Sequence, residues 1–279
     1  MRRAVDRLFR LGAALCAVGS IAALAVIVTA IARRGAPALG WRLLAPSGDP
    51  ESVLYQLLGT LILIATALAV ALPAATALAL LQTVYLAGAR ARRRLALCLY
   101  ALNGVPSILF GIFGLIVFVK LLGWGKSWLA GGLLLAMMIV PTLTVAIAER
   151  IDALPRKYLA AAAGLGLPRG RVVWSVILPH SVVGMISGSL LGLGRAAGET
   201  APILFTAAVF SGVRLPDGIR ESPVLALPYH IFVLAQDSFD PAAGSRLWGA
   251  AAVLLLLTLA ASLLALPGRL AAREEARHG

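Results

Sequence analysis

The sequence predicts an all-α integral membrane protein with about six transmembrane helices, and two observations predict it. Of 279 residues, 60% are hydrophobic and only 13% charged, about half the charged share of an ordinary soluble domain. The apolar residues also gather into runs long enough to cross a bilayer, which takes about 20 residues: roughly 11–32, 54–82, 95–119, 127–148, 181–210 and 247–267. Lipid leaves a spanning segment no open alternative to the helix, because every backbone N–H and C=O must find its partner within the segment. No repeat of 20–50 residues and no low-complexity tract interrupts the pattern, so residues 1–279 read as a single transmembrane domain.

The opening "MRRAVDRLFR" before residues 11–32 imitates a secretory leader, but the apolar run outlasts the 7 to 15 residues of a leader's core, and it reads as an uncleaved first span. The second and fifth runs exceed a straight crossing, and each holds a proline, Pro73 and Pro202. Tilt, a kink or a break there absorbs the excess, so both spans are expected to be irregular. Pro106 beside Ser107 is expected to bend the third. Cys16 and Cys98 both fall within apolar runs, where they read as buried, reduced thiols rather than as a disulfide or metal ligands.

Charge orients the chain. With the amino terminus cytoplasmic, the inner segments carry sixteen Lys and Arg, from Arg2 and Arg3 through Arg90–Arg94 and Arg150–Arg171 to Arg277, and the outer ones eight: Arg33, Arg34, Arg42, Lys120, Lys126, Arg214, Arg220 and Arg246. Cytoplasmic loops hold the excess, so both termini are placed inside. The formal charge of +13 is spread over short clusters without aromatic interleaving, which argues against nucleic acid and for a membrane partner.

Two connections are long. The outer one, 211–245, has turn-forming Pro and Gly at its ends and an apolar middle, and is expected to hold a short helix at the interface. The inner one, 149–180, reads "ERIDALPRKYLAAAAGLGLPRGRVVWSVILPH": an alanine-rich helix, a glycine turn, and a second short amphipathic stretch ending at Leu178 and Pro179. By physics alone it is either a projecting knob or an ordinary connection.

One cation falls outside every loop. Arg195 lies with Glu199 inside the fifth run, in "GRAAGETAPILF", where an ionisable residue costs roughly 2.5 to 3.5 kcal/mol on insertion scales. Four residues apart, the two share a helix face and can satisfy each other. The guanidinium also offers a planar fork of donors suited to an oxyanion. A purely structural pair is the other reading. Gly184, Gly188 and Gly192 recur every four residues just before it, a stripe that permits close helix packing.

The inner loop resembles the cytoplasmic segment of bacterial ABC importer permeases, whose pattern is E-A-A, three residues, G, nine residues, I-x-L-P. Ala161 and Ala162 match the alanines, Gly166 the glycine, and Leu178 and Pro179 the final pair, with Val176 for Ile and Ala160 for the glutamate. The resemblance implies a type I importer permease fold, with Ala160, Ala161, Ala162, Leu165, Gly166, Leu167 and Pro168 forming the knob that couples to an ATPase. Lacking the acid, it docks by shape and apolar contact, since an exposed ion pair contributes at most about 1 kcal/mol.

"NGVPSILFGIFG" (103–114), "GRAAGETAPILF" (194–205) and "LALPYHIFVLA" (225–235), with "QLLGTLILI" and "VYLA" near Gln56 and Tyr85, are similar to segments of the PstA-type permeases of phosphate importers. That resemblance implies a bacterial plasma membrane location. The residues themselves suggest a substrate path through Arg195, Glu199, Thr200 and Ser107. The resemblance also implies a homologous second permease of PstC type, a PstB-type ATPase dimer and an external PstS-type phosphate-binding protein. The chain itself would bind no cofactor or metal, and ATP and magnesium would be used by the ATPase. The alternatives are a permease for another oxyanion and, in a different class, an intramembrane lipid-pyrophosphate phosphatase. The latter needs a base or nucleophile beside the charges, and His180, His230 and His278 all stand far from Arg195 in sequence.

Overall fold

The computed structural model describes residues 2–45, 52–213, 215–236 and 241–278; Arg214 of the outer cation set and residues 237–240 of the outer loop lie outside them. The described residues form helices: α1 (Arg2–Gly35), α2 (Leu54–Leu80), α3 (Ala89–Asn103), α4 (Ser107–Gly114), α5 (Trp128–Asp152), α6 (Arg156–Gly164), α7 (Arg169–Val172), α8 (Leu178–Gly198), α9 (Ala201–Thr206), α10 (Leu227–Gln236) and α11 (Pro241–His278). Their only strand-like feature is an isolated bridge between Ala208 and Val224. Five uninterrupted stretches are long and apolar enough to cross a membrane, and a bent pair makes a sixth.

α5 is the inner helix, with 67% of its most apolar 18-residue window buried, whereas α1 has none of its window buried. The closest partner of α5 is α2, which presents Ala67, Ala71, Ala75 and Ala79 as a fully buried row. Small side chains four apart let two backbones approach closely, which is how helices associate when lipid supplies no hydrophobic drive. Leu134, Ile139, Leu143 and Ile147 of α5 complete this core. α8 packs on both α5 and α11, and α1 leans on α11.

The third run is not one helix. α3 ends at Asn103, α4 begins at Ser107, and the helical segment it opens, Ser107–Leu121, is bent by 88° from α3. Pro106 forces this, because it lacks a donor and pushes Val105 out of helical geometry; it stands as the extended cap of α4 at φ −56°, ψ 134°. In the fifth run α8 stops at Gly198 and Glu199 is extended at φ −77°, ψ 121°. The ring of Pro202 would strike the carbonyl four residues back, that of Gly198, so the helix ends there and restarts as α9. Pro73 does not break α2; that span stays helical and widens into a π turn over Leu81–Tyr85.

Two expectations need correction. The stretch ending at Leu178 and Pro179 does not end there, because one continuous helical segment runs Arg169–Gly198. Pro179 falls at the first turn of α8 after a π turn, a register that tolerates the missing donor. The fifth span therefore begins well before 181. The cysteines are unpaired but exposed, on helix faces that look outward to lipid or a partner. The outer loop does contain a short helix, α10, anchored where Leu227 N–H donates to Thr60 Oγ1 of α2 at 2.9 Å.

Candidate functional site

The two helix breaks and the inner helix meet at Arg195. It sits in the last turn of α8, and its Nη1 donates to Asn103 Oδ1 at 2.6 Å and to Thr142 Oγ1 at 3.2 Å. Thr142 closes the triangle by donating its hydroxyl proton to Asn103 Oδ1 at 3.1 Å. Glu199 Oε1 lies 3.7 Å from Arg195 Nε, an ion pair too long to be a hydrogen bond. Three separate elements thus converge on one guanidinium: the end of α3, the middle of α5 and the α8–α9 break.

This differs from the pairing expected of two residues on one helix face. Because α8 ends at Gly198, Glu199 belongs to the break and not to the helix, and the short bonds of Arg195 go to neutral acceptors. The Nη2 protons have no acceptor among the described residues. Arg195 is 33% exposed and Glu199 18%, so both are partly open. A guanidinium oriented by neutral groups keeps its full charge for an oxyanion and needs little reorganisation to bind one.

Thr200 follows Glu199 in the break, half-buried, and its carbonyl accepts from Leu204 N–H at 3.0 Å. Ser107 opens α4 on the far side of the bend, half-buried, and makes no hydrogen bond to Arg195. Asn103 and Thr142 were not singled out from sequence. Each nonetheless left a trace there, as a polar residue beside a helix-breaking or proline position within an apolar run.

Gly184, Gly188 and Gly192 are buried along the face of α8 turned to α5. A Cβ at Gly184 would fall 2.7 Å from Arg150 Cβ, and one at Gly192 2.6 Å from Leu143 Cδ1. The stripe holds α8 close to α5, and with it the distance between Arg195 and Thr142.

At the other end of the molecule α6 closes in a Schellman turn. Leu167 N–H donates to Ala162 O at 3.2 Å and Gly166 N–H to Ala163 O at 2.9 Å, the paired bonds that satisfy the last carbonyls of a helix. They require a left-handed residue, and Gly166 has φ +66°. Ala160, Ala161 and Pro168 are exposed, Leu165 is 78% exposed, and Ala162 is buried. Leu167 turns inward to line a cavity of about 450 Å³ with Thr83, Asp152 and Arg169. The knob therefore presents Leu165 and the exposed alanines outward, while Ala162 and Leu167 fasten it to the chain.

His180 packs at a tilt against Tyr158, ring centroids 4.8 Å apart, and His230 stacks against Phe210 in the outer loop. Burial, helped by the nearby Arg246 charge, lowers the His230 pKa to about 4. The side chain of His278 lies outside the described ones. Among the described residues no group of three His, Cys, Asp or Glu could hold a metal ion.

Comparison with known proteins gives this geometry its setting. A family model described as "Binding-protein-dependent transport system inner membrane component" matches residues 71–273. The "Phosphate transport system permease protein PstA 2" of Mycobacterium tuberculosis is 31% identical over 254 residues, 86% of this chain and 83% of that protein. The "Probable phosphate transport system permease protein PstA" of Methanocaldococcus jannaschii is 30% identical over 277 residues, 93% of this chain and 92% of that protein. Among solved structures, an inward-facing MetNI methionine ABC transporter matches with a TM-score of 0.53 at 14% identity, covering 80% of this chain and 94% of that one. That likeness is one of fold alone.

Proposed function

The chain belongs to the family of binding-protein-dependent transport system inner membrane components, and from that premise we propose that it is the transmembrane permease subunit of an ATP-driven importer of inorganic phosphate. The observation that carries the cargo assignment is Arg195, a cation within a spanning segment, oriented through Nη1 by Asn103 and Thr142 while its side chain stays 33% exposed. The relatives named for phosphate transport support it. Phosphate arriving from outside would meet the guanidinium and compete with Glu199 for it. Repulsion by the carboxylate then keeps the complex weak enough to release. Thr200 and Ser107 complete the path in this reading, as hydroxyls near the two breaks.

The permease family is non-catalytic, which argues against the phosphatase reading. The cargo pathway would be completed by a homologous PstC-type permease, hydrolysis would belong to a PstB-type ATPase dimer using ATP and magnesium, and a PstS-type binding protein would deliver phosphate. No cofactor is assigned to this chain itself. Uptake of labelled phosphate by the reconstituted four-component complex, competed with sulfate and molybdate, tests the assignment. Equal competition by all three would make the chain a permease for tetrahedral oxyanions in general.

Multi-pass insertion in the inner membrane follows from the family and the apolar helices. Cytoplasmic termini are our reading of the charge distribution. In a background lacking Cys16 and Cys98, a cysteine at exposed Gly218 should react with an impermeant maleimide on intact cells, and one at exposed Gly170 only after permeabilisation. The reverse order would invert the topology.

The Schellman turn is assigned to ATPase coupling. A Cβ at Gly166 meets open space, so replacement disturbs the φ and not the packing; a branched residue there costs about 1 to 2 kcal/mol. Gly166→Val should therefore reduce ATPase co-purification or uncouple hydrolysis from uptake, while Gly166→Asn, which tolerates the left-handed region, should retain most of both. Normal coupling with Val would remove this turn from the interface.

A further inference from the structure

We propose that the outward face at the start of α3 binds the headgroup of an anionic phospholipid. α3 opens with "ARARRR", and the chain holds no Asp or Glu from residue 52 to residue 148. Arg92 reaches back to the turn after α2, where its Nη2 donates to the carbonyls of Thr83 at 2.9 Å and Leu86 at 3.4 Å. The other three, Arg90, Arg93 and Arg94, are exposed and make no hydrogen bond or ion pair with a described residue. Spaced i, i+3 and i+4, they share one helix face, and exposed Leu97, Cys98 and Ala101 continue that face toward the other end of the helix. Leu99, which is buried, and Asn103, which bonds Arg195, lie on the opposite side, against the bundle.

Neither helix stability nor topology accounts for this arrangement. Cations in the first turn of a helix oppose its dipole, and Gly88 at the cap supplies no side-chain acceptor. Positive charge on the inner side orients a chain, but that does not ask for three arginines on one outward face. A lipid does. Guanidinium forks suit phosphate oxygens, basic clusters beside a spanning segment attract anionic headgroups, and acyl chains would lie along Leu97 and Ala101. α3 packs mainly on α5 and on the turn after α2. The acids of α5 nearest that end are Glu149 and Asp152, and Asp152 lines a cavity with Thr83 and Arg169, beside the carbonyl that holds Arg92 and not on the outward face. Leu99 is the one buried residue of α3, so little packing holds the helix that brings Asn103 to Arg195. A bound headgroup would fix its free end.

The test is photo-cross-linking of the full-length protein in mixed vesicles, alone and with its transporter partners, using phosphatidylglycerol or phosphatidylcholine that carries a diazirine in the acyl chain, with labelled peptides read by mass spectrometry. Phosphatidylglycerol should label residues 95–103 about tenfold or more above phosphatidylcholine. Arg90→Gln, Arg93→Gln and Arg94→Gln should each lower that preference about fivefold, and the triple glutamine variant should abolish it. The triple lysine variant, which keeps the charge, should retain much of it. Arg195→Ala should leave labelling unchanged, because the readout needs no transport and so stands apart from the cargo assignment. Equal labelling by both lipids, indifference to the triple glutamine variant, or displacement by inorganic phosphate at matched ionic strength would each overturn the proposal. Loss of labelling once the partners are present would also overturn it, since the face would then belong to a subunit.

Discussion

Arg195→Ala should abolish phosphate uptake, lowering it by roughly two orders of magnitude or more, while the permease still assembles with its partners. The estimate follows from the contacts. Hydrogen bonds to charged groups contribute about 1.5 to 3 kcal/mol each, and the partly exposed guanidinium of Arg195 can supply two to an oxyanion. Removing the guanidinium leaves Asn103, Thr142 and the Glu199 carboxylate, a set with a net negative charge that repels phosphate. Arg195→Lys should restore little, because a point charge cannot hold the Asn103–Thr142 pair and present a second donor pair at once. Uptake by the reconstituted complex, with co-purification of the ATPase as the assembly control, measures both.

Asn103→Asp should be nearly as damaging, although it changes one atom. In the wild type the 2.6 Å bond from Arg195 goes to a neutral amide oxygen. A carboxylate in its place makes that bond a full ion pair and puts a second negative charge beside Glu199. Both effects oppose an incoming anion, so uptake at low phosphate should fall about tenfold or more. Saturating phosphate should recover part of the rate, because the change acts chiefly on binding. Asn103→Ala, which frees Arg195 without adding charge, should be milder. If the alanine variant were the more severe of the two, Asn103 would be supporting the α3–α4 bend rather than tuning the guanidinium.

The outline of this site was legible because lipid makes polar residues expensive. Arg195 and Glu199 stood out in an apolar run, and Pro106 and Pro202 marked where helices had to yield. Periodicity could not reveal that the run holding Arg195 divides four residues before Pro202, so it placed Glu199 on the same helix face. Nor could it bring Asn103 and Thr142 to Arg195, since those contacts join residues 92 and 53 positions apart and depend on how α3, α5 and α8 pack. The knob was visible as a spacing pattern, but the opposite fates of Leu165 and Leu167 follow from the left-handed Gly166, which turns one outward and the next inward. Pro73 shows the limit of a breaker rule, for a proline in a long apolar helix held by neighbours need not end it.

The central claim is that Arg195 meets the cargo and is not merely a partner for Glu199. The most direct measurement compares labelled-phosphate uptake by the reconstituted complex carrying Arg195→Ala with that carrying both Arg195→Ala and Glu199→Ala, at matched assembly. If the guanidinium binds phosphate, neither variant transports, because deleting the carboxylate cannot replace the missing donors. Recovery of uptake in the double variant would contradict the account, since it would mean that the single replacement failed only by leaving a half-buried acid without its counter-charge.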